Sequence, residues 1–293
     1  MRSLILSVFL FFSVASQAQQ DPVFVSEGFT SFWNNPASFG SWNKFSFNAV
    51  GSLQWVGIES APRSIMINAE HGVDFETQSD SWKNVRFGYG INVIVENVGF
   101  QNNFIFTVPL NYQIKIKESF LSIGIAPGFR KLSFDPSWVP PSPGFTIPPS
   151  PASFNIDAGL FWFNEKAYAG ISSTRINRPH SGSGGVRHYY VQGGYRFKIG
   201  QHYIFPQVHI AANSASTSFW NINYFQFKED IFSVGLGFSY GSEILFAATA
   251  RYKFLKLAYN YDLVMNPLSS YTSGSHQLRL SFIIDKAGKN KEN

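Results

Sequence analysis

The chain contains no cysteine. That removes disulfides, thiolate metal sites, thiol catalysis and a lipidated N-terminal cysteine together. Charge is also scarce: only 14% of the residues are Asp, Glu, Lys or Arg, where soluble domains carry about 25%. The net charge of +5 is spread thinly, so no basic groove for nucleic acid is expected. Long apolar runs are absent after the first residues, which excludes a transmembrane helix in the body of the chain. Metal-binding and catalytic patterns are missing as well. The six histidines show no helical ligand spacing, and no HExxH, GxSxG, Walker A or EF-hand pattern occurs. No cofactor and no metal is expected. What is abundant is aromatic residues, 17% of the chain, together with 24 Gly and 15 Pro, a composition for strands and turns.

The N-terminus reads as an export signal. Arg2 supplies a positive start, Leu4 to Val14 an apolar stretch, and Ser16-Gln17-Ala18 small residues for cleavage. The stretch is short of the about 20 residues that a membrane helix needs. Residues 1–18 are therefore expected to be a signal peptide, 19–43 an arm at or in a barrel mouth, 44–284 a β-barrel, and 285–293 a polar tail.

The apolar period is 2. In Asn103 to Lys117, Phe104, Phe106, Val108, Leu110, Tyr112, Ile114 and Ile116 share one face. Ile105, Thr107, Pro109, Asn111, Gln113, Lys115 and Lys117 share the other, over a length that crosses a bilayer at a tilt. The same alternation recurs at 189–199, 234–240, 257–263 and 278–284. A β-sandwich also alternates, but the strands here are long, the second face is polar or glycine, and the connections alternate in length. Tyr and Trp also fall near strand ends (Trp55, Trp82, Tyr112, Trp162, Tyr203, Trp220, Tyr252), where membrane interfaces prefer them. The expected fold is all-β: a single antiparallel up-and-down transmembrane barrel. Fourteen strands are expected, at 44–54, 63–70, 83–95, 102–116, 120–134, 153–163, 167–175, 188–199, 203–213, 219–227, 231–240, 243–253, 255–263 and 276–284. An even count puts both termini on the periplasmic side of an outer membrane, and the Pro-rich segment 135–152 on the outside. Phe161 and Phe163 share the parity of inward Asn155 and Asp157, which argues for an obstructed lumen.

A set of short motifs runs through the chain in order. Asp21-Pro22 and Phe24 precede Asn35-Pro36-Ala37-Ser38-Phe39-Gly40, and Gln54-Trp55-Val56-Gly57-Ile58-Glu59-Ser60-Ala61-Pro62-Arg63-Ser64 follows. Further on stand Tyr168-Ala169-Gly170-Ile171-Ser172, Arg187-His188-Tyr189-Tyr190, Gly194-Tyr195, Leu257-Ala258-Tyr259-Asn260-Tyr261-Asp262 and Gly274-Ser275-His276, with Gln277 where a Glu is usual. In sequence and spacing they resemble the PorP/SprF family of type IX secretion and gliding-motility membrane proteins of Bacteroidetes. The resemblance implies an outer-membrane component rather than an enzyme. It implies partners too: other periplasmic and lipoprotein components of the system, and a cargo bearing a type-B C-terminal sorting domain. A small-solute channel is the alternative, and a rim enzyme a third. Asp262 and His276 flank the last long loop, but by parity Asp262 faces inward and His276 outward. Each motif also has a structural reading. Trp55 suits an interfacial anchor; Gly57 and Pro62 suit a tight loop that Arg63 caps or joins to a carboxylate. Asn35-Pro36 suits a turn tucking the arm into the barrel.

Overall fold

A computed structural model describes residues 21–22, 24, 32–74, 84–135, 152–177, 186–213, 217–227, 231–239 and 243–285. The expected signal peptide, Trp82, most of 135–152 and the polar tail lie outside these residues. The strands are β1 (Lys44–Leu53), β2 (Arg63–Asp74), β3 (Val85–Val98), β4 (Gln101–Thr107), β5 (Leu110–Ile116), β6 (Ser119–Phe134), β7 (Ser153–Phe163) and β8 (Ala167–Thr174). They continue with β9 (His188–Tyr195), β10 (Phe197–Ile199), β11 (His202–Ala212), β12 (Thr217–Phe227), β13 (Phe232–Ser239), β14 (Glu243–Tyr252), β15 (Leu255–Val264) and β16 (Ser275–Asp285). Each pairs antiparallel with its neighbour, and β1 closes the ring on β16 from Lys44↔Asp285 to Leu53↔His276.

Sixteen strands make fourteen staves, because β4/β5 and β9/β10 are halves of two interrupted ones. The first interruption falls at Val108-Pro109, since proline has no N–H to give the ladder. Contact is kept there by Gly90 N donating to Pro109 O at 2.9 Å and Val108 N to Pro127 O at 2.9 Å. The second falls at Arg196, beside Pro206 of the adjoining β11, and the Arg196 amide turns to Lys166 O at 2.7 Å. The fourteen expected spans therefore all exist, two of them broken where a proline interferes.

The wall is inside-out relative to a soluble domain. Along β2, outward Ile65 and Ile67 are 59% and 44% exposed, while inward Ser64, Met66 and Asn68 are each 3% exposed. This suits a wall with lipid outside, where apolar side chains cost nothing and every backbone group is paired within the ring. Trp220 departs from the expected interfacial belt. It stands at inward parity on β12 and stacks on His209, centroids 5.4 Å apart, because the lumen offers it an aromatic surface.

The strand directions define two ends. Lys44, Phe163, Ala167 and Asp285 lie at the near end, and Leu53, Thr174, His188 and Ser275 at the far end. Near-end turns at 117–118, 164–166, 200–201 and 253–254 are short, and the far-end connections at 54–62 and 265–274 are longer. Gly99-Phe100 is a tight far-end exception, with Gly99 at φ +57°.

Candidate functional site in the lumen

The described residues of the segment before β1 lie in the bore. Trp42 sits at the near end, where its Nε1 donates to Asn164 O at 3.1 Å and its ring packs on Phe163 at 5.2 Å and Phe161 at 5.8 Å. Pro36–Ser38 form one 3₁₀ turn deep in the lumen. Its start is set locally: Pro36 fixes φ, and Asn35 Oδ1 caps the turn by accepting from Ala37 N at 3.1 Å. The wall then holds the turn. Asn111 Nδ2 donates to Pro36 O (2.9 Å) and Phe39 O (2.7 Å), and Asn35 Nδ2 donates to Gln192 Oε1 (3.0 Å). Gln192 Nε2 returns a bond to Asn34 Oδ1 at 2.9 Å, and Gly40 N donates to Glu70 Oε2 at 2.7 Å.

Glycines make room for it. A Cβ on Gly124 would stand 2.5 Å from Ala37 N, and one on Gly170 would stand 2.6 Å from the Phe161 ring and 2.8 Å from Asn35 Nδ2. Beside the turn, Phe32 joins Phe161, Phe163, Tyr168, Phe205, Tyr224 and Leu245 in one buried cluster. Gly194 leaves space for it, since a Cβ there would lie 2.6 Å from the Tyr168 ring. The obstructed lumen expected from Phe161 and Phe163 is thus occupied by the chain itself.

At the far end the segment is held by charge. Asp21 is 5% exposed; its Oδ1 accepts from Arg130 Nη1 (3.0 Å) and Arg175 Nη2 (2.8 Å), and its Oδ2 from Tyr190 OH (2.9 Å) and Thr174 Oγ1 (3.1 Å). His188 Nδ1 lies 3.4 Å from the same oxygen, a contact rather than a well-formed hydrogen bond. Asp157 completes the group, accepting from Arg130 Nη2 at 3.4 Å and from the Arg175 amide at 2.8 Å. Burial alone would raise the Asp21 pKa, but the two guanidiniums, His188 and the Tyr190 hydroxyl outweigh it and hold the carboxyl well below its usual range.

Asp21 stands at the far end of the barrel and Asp285 at the near end. The described arm residues thus make contacts at both ends of the bore, Trp42 at the near end and Asp21 at the far end.

The family-motif residues separate into groups. Asn35, Pro36 and Gly40 lie in the arm itself, and Gly170, His188 and Gly194 line the lumen around it. A second group meets at the far end of the β1–β16 seam, although it is split between the two ends of the sequence. There Val56 N donates to Gly274 O (2.8 Å), Ser273 N to Val56 O (2.8 Å) and Trp55 N to Ser275 Oγ (3.2 Å). Gln54 and Pro62 close the loop's neck by a 2.9 Å backbone bond, and Ala61 N reaches Ile58 O. Gly57 and Gly274, at φ +106° and +102°, adopt conformations that a side chain would strain. Tyr261 OH donates to Ser273 O at 2.9 Å, and Tyr259 OH lies 2.7 Å from His276 Nδ1. Arg63 neither caps this loop nor meets a carboxylate among the described residues: parity turns it outward and leaves it exposed. Tyr195 also faces out and packs on Phe197 at 4.5 Å. Asp262 points into the barrel and His276 out of it, so they converge on no common site. Sequence reasoning missed Arg130, Thr174 and Arg175. The available signal was an inward-parity arginine, Arg130, opposite the strand carrying inward Asp157.

Comparison with known proteins fits this geometry. A family model described as type IX secretion system membrane protein PorP/SprF matches residues 16–282. No curated protein matches. Among solved structures, the Ralstonia pickettii toluene transporter TbuX is 9% identical, with 85% of this chain and 91% of that chain covered and a TM-score of 0.50. BamA from Haemophilus ducreyi, lacking POTRA domains 1–3, is 8% identical over 83% of this chain and 70% of that one, with a TM-score of 0.45. The Escherichia coli outer membrane phospholipase A is 9% identical over 82% and 91%, with a TM-score of 0.36. At such identity the TbuX likeness shows the fold alone, an outer-membrane barrel. The family model spans the arm and nearly all of the barrel, and the chain belongs to the PorP/SprF family of type IX secretion system membrane proteins.

Proposed function

We propose that this barrel works in the outer membrane as a closed, non-catalytic component of type IX secretion and gliding motility. It assists the secretion or surface attachment of a specific cargo with a type-B C-terminal sorting domain, alongside periplasmic and lipoprotein components of the system. The observation that supports this reading is the filled bore. A space beside the arm at the far end, among Asp21, Trp33, His188, Tyr190, His209 and Trp220, measures about 20 Å³. A single water needs about 10–15 Å³ by the same measure, so this space has room for about one water beside the arm. Contact with partners then falls to the end loops, where the seam of 54–62 and 265–274 is a rigid platform.

Deleting the gene tests this directly. Most secreted proteins should be unchanged, while one cargo or a small set leaves the surface and collects in the cell or the medium. The purified barrel should show no steady conductance in a planar bilayer. Intact surface display together with a large open-channel conductance would overturn the proposal in favour of a small-solute channel.

A further inference from the structure

The lipid-facing side of the barrel carries an amide pair where hydrocarbon is expected. On β12 the outward positions run Thr217, Phe219, Asn221, Asn223, Phe225 and Phe227, so two asparagines stand at mid-height of the strand. Their neighbours across the sheet are Pro206 and Val208 on β11 and Leu236 and Phe238 on β13, an apolar surround. On the opposite wall, seven staves around the ring, β3 presents Ile91 and Val93 at the same height.

The pair is half satisfied. Asn221 Nδ2 donates to Gln207 O at 3.1 Å, and Asn223 Nδ2 donates to Asn221 Oδ1 at 2.7 Å. Asn223 is exposed, and its Oδ1 and second N–H have no partner among the described residues. An amide left in hydrocarbon without a partner is costly, and lipid tails offer neither donor nor acceptor. Headgroups lie too far from mid-height to serve. The complement must come from another protein surface within the bilayer.

We propose that this face binds a second copy of the chain, with Asn223 meeting Asn223 across a two-fold axis. The chemistry selects that occupant. One free acceptor and one free donor on a neutral amide are complementary to themselves, and an isologous contact brings each residue to its own counterpart. A charged partner would leave its charge uncompensated in the membrane. Outward Gly193 on β9 and Ala248 and Ala250 on β14 carry little bulk to either side of the patch, which allows the two walls to approach closely.

The absence of cysteine makes the test clean. In native outer membranes, Asn223→Cys should form a disulfide-linked dimer under mild oxidation, because a bridge requires Cα atoms within about 7 Å. Ile91→Cys, on the opposite wall, should yield about tenfold less dimer or none. Since cysteine removes the amide it reports on, the unmodified protein and Asn223→Leu are compared by native mass spectrometry from nanodiscs. Leucine suits a lipid-facing position and should leave the barrel folded, as heat-modifiable gel mobility reports, while the dimer falls about tenfold. Equal cross-linking at 91 and 223, no dimer in the unmodified protein, or capture of a different chain at position 223 would each overturn the proposal.

Discussion

The arm is fixed at two places by unlike forces. Around Asn35–Gly40 it is held by shape: a proline-started turn, glycines that leave room for its backbone, and neutral amide bonds from Asn111 and Gln192. At Asp21 it is held by two buried guanidiniums and a ring of donors. The first anchor includes one carboxylate, Glu70, which accepts from Gly40 N, and is otherwise made of neutral groups. The second exists only while a carboxylate is ionised inside the barrel. One segment thus combines a steric fit that defines its path with a charged latch that defines where it stops.

The largest effect should come from breaking the latch. Asp21→Ala leaves Arg130 and Arg175 buried with less opposing charge, and removal of one partner of a buried ion pair costs about 3–5 kcal/mol. Urea unfolding of the refolded barrel should show that loss, with unchanged strand content by circular dichroism. A cost below about 1 kcal/mol, the range of a surface ion pair, would mean that the latch is solvated.

Overfilling the steric anchor comes next. Gly124→Leu puts side-chain atoms where Ala37 N now lies, and overpacking costs about 1–3 kcal/mol. The arm should be displaced, read as new protease sensitivity before β1 and new conductance in a planar bilayer. Unchanged conductance would show that the turn is not seated on Gly124.

Asn35→Ala removes the cap and the bond to Gln192, for a loss of about 1–3 kcal/mol. Hydrogen exchange should rise at Ala37 and Ser38 and leave Asp21 protected if the two anchors act separately.

The smallest effect is expected from mild acid. The Asp21 pKa is lowered in the fold, so its stabilisation is complete above the ordinary value of 3.8 and is lost as pH falls below it. The stability difference between the unmodified protein and Asp21→Asn should stay constant from about pH 7 to pH 5 and shrink only below about pH 4. A difference that shrinks near neutrality would contradict the depressed value.

The wall was legible in the sequence and the plug largely was not, for a physical reason. A lipid-facing strand must alternate, so Phe104 through Ile116 announce both the strand and its outer face; even the break at Pro109 carries its own signal. The break at Arg196 does not, because its cause sits on the neighbouring strand, at Pro206. The arm lacks periodicity because its partners come from the whole circumference: Glu70, Asn111, Leu160, Gln192 and, at Asp21, Arg130 and Arg175. Asn-Pro-Ala-Ser-Phe-Gly reads locally as a turn, and the inward glycines at 124 and 170 read locally as weak strand positions. Only their meeting explains either. The seam group behaves alike, since Trp55 and Ser275 become neighbours only when the first strand finds the last.

That last pairing has a consequence for how the molecule is made. The arm runs straight into β1, and β1 closes the ring on β16, the C-terminal strand of the described barrel. A segment carrying Phe32, Trp33 and Trp42 does not thread through an already sealed ring whose interior is as full as this one. The expected order of assembly is therefore that the arm lies down on an open, curled sheet and is enclosed when β16 zips onto β1. A pulse-labelled chain truncated before Ser275 should already protect the arm from protease if that order holds. Biogenesis would then be a wrapping event, with the chain's own leading segment serving as the mandrel on which the sheet is rolled.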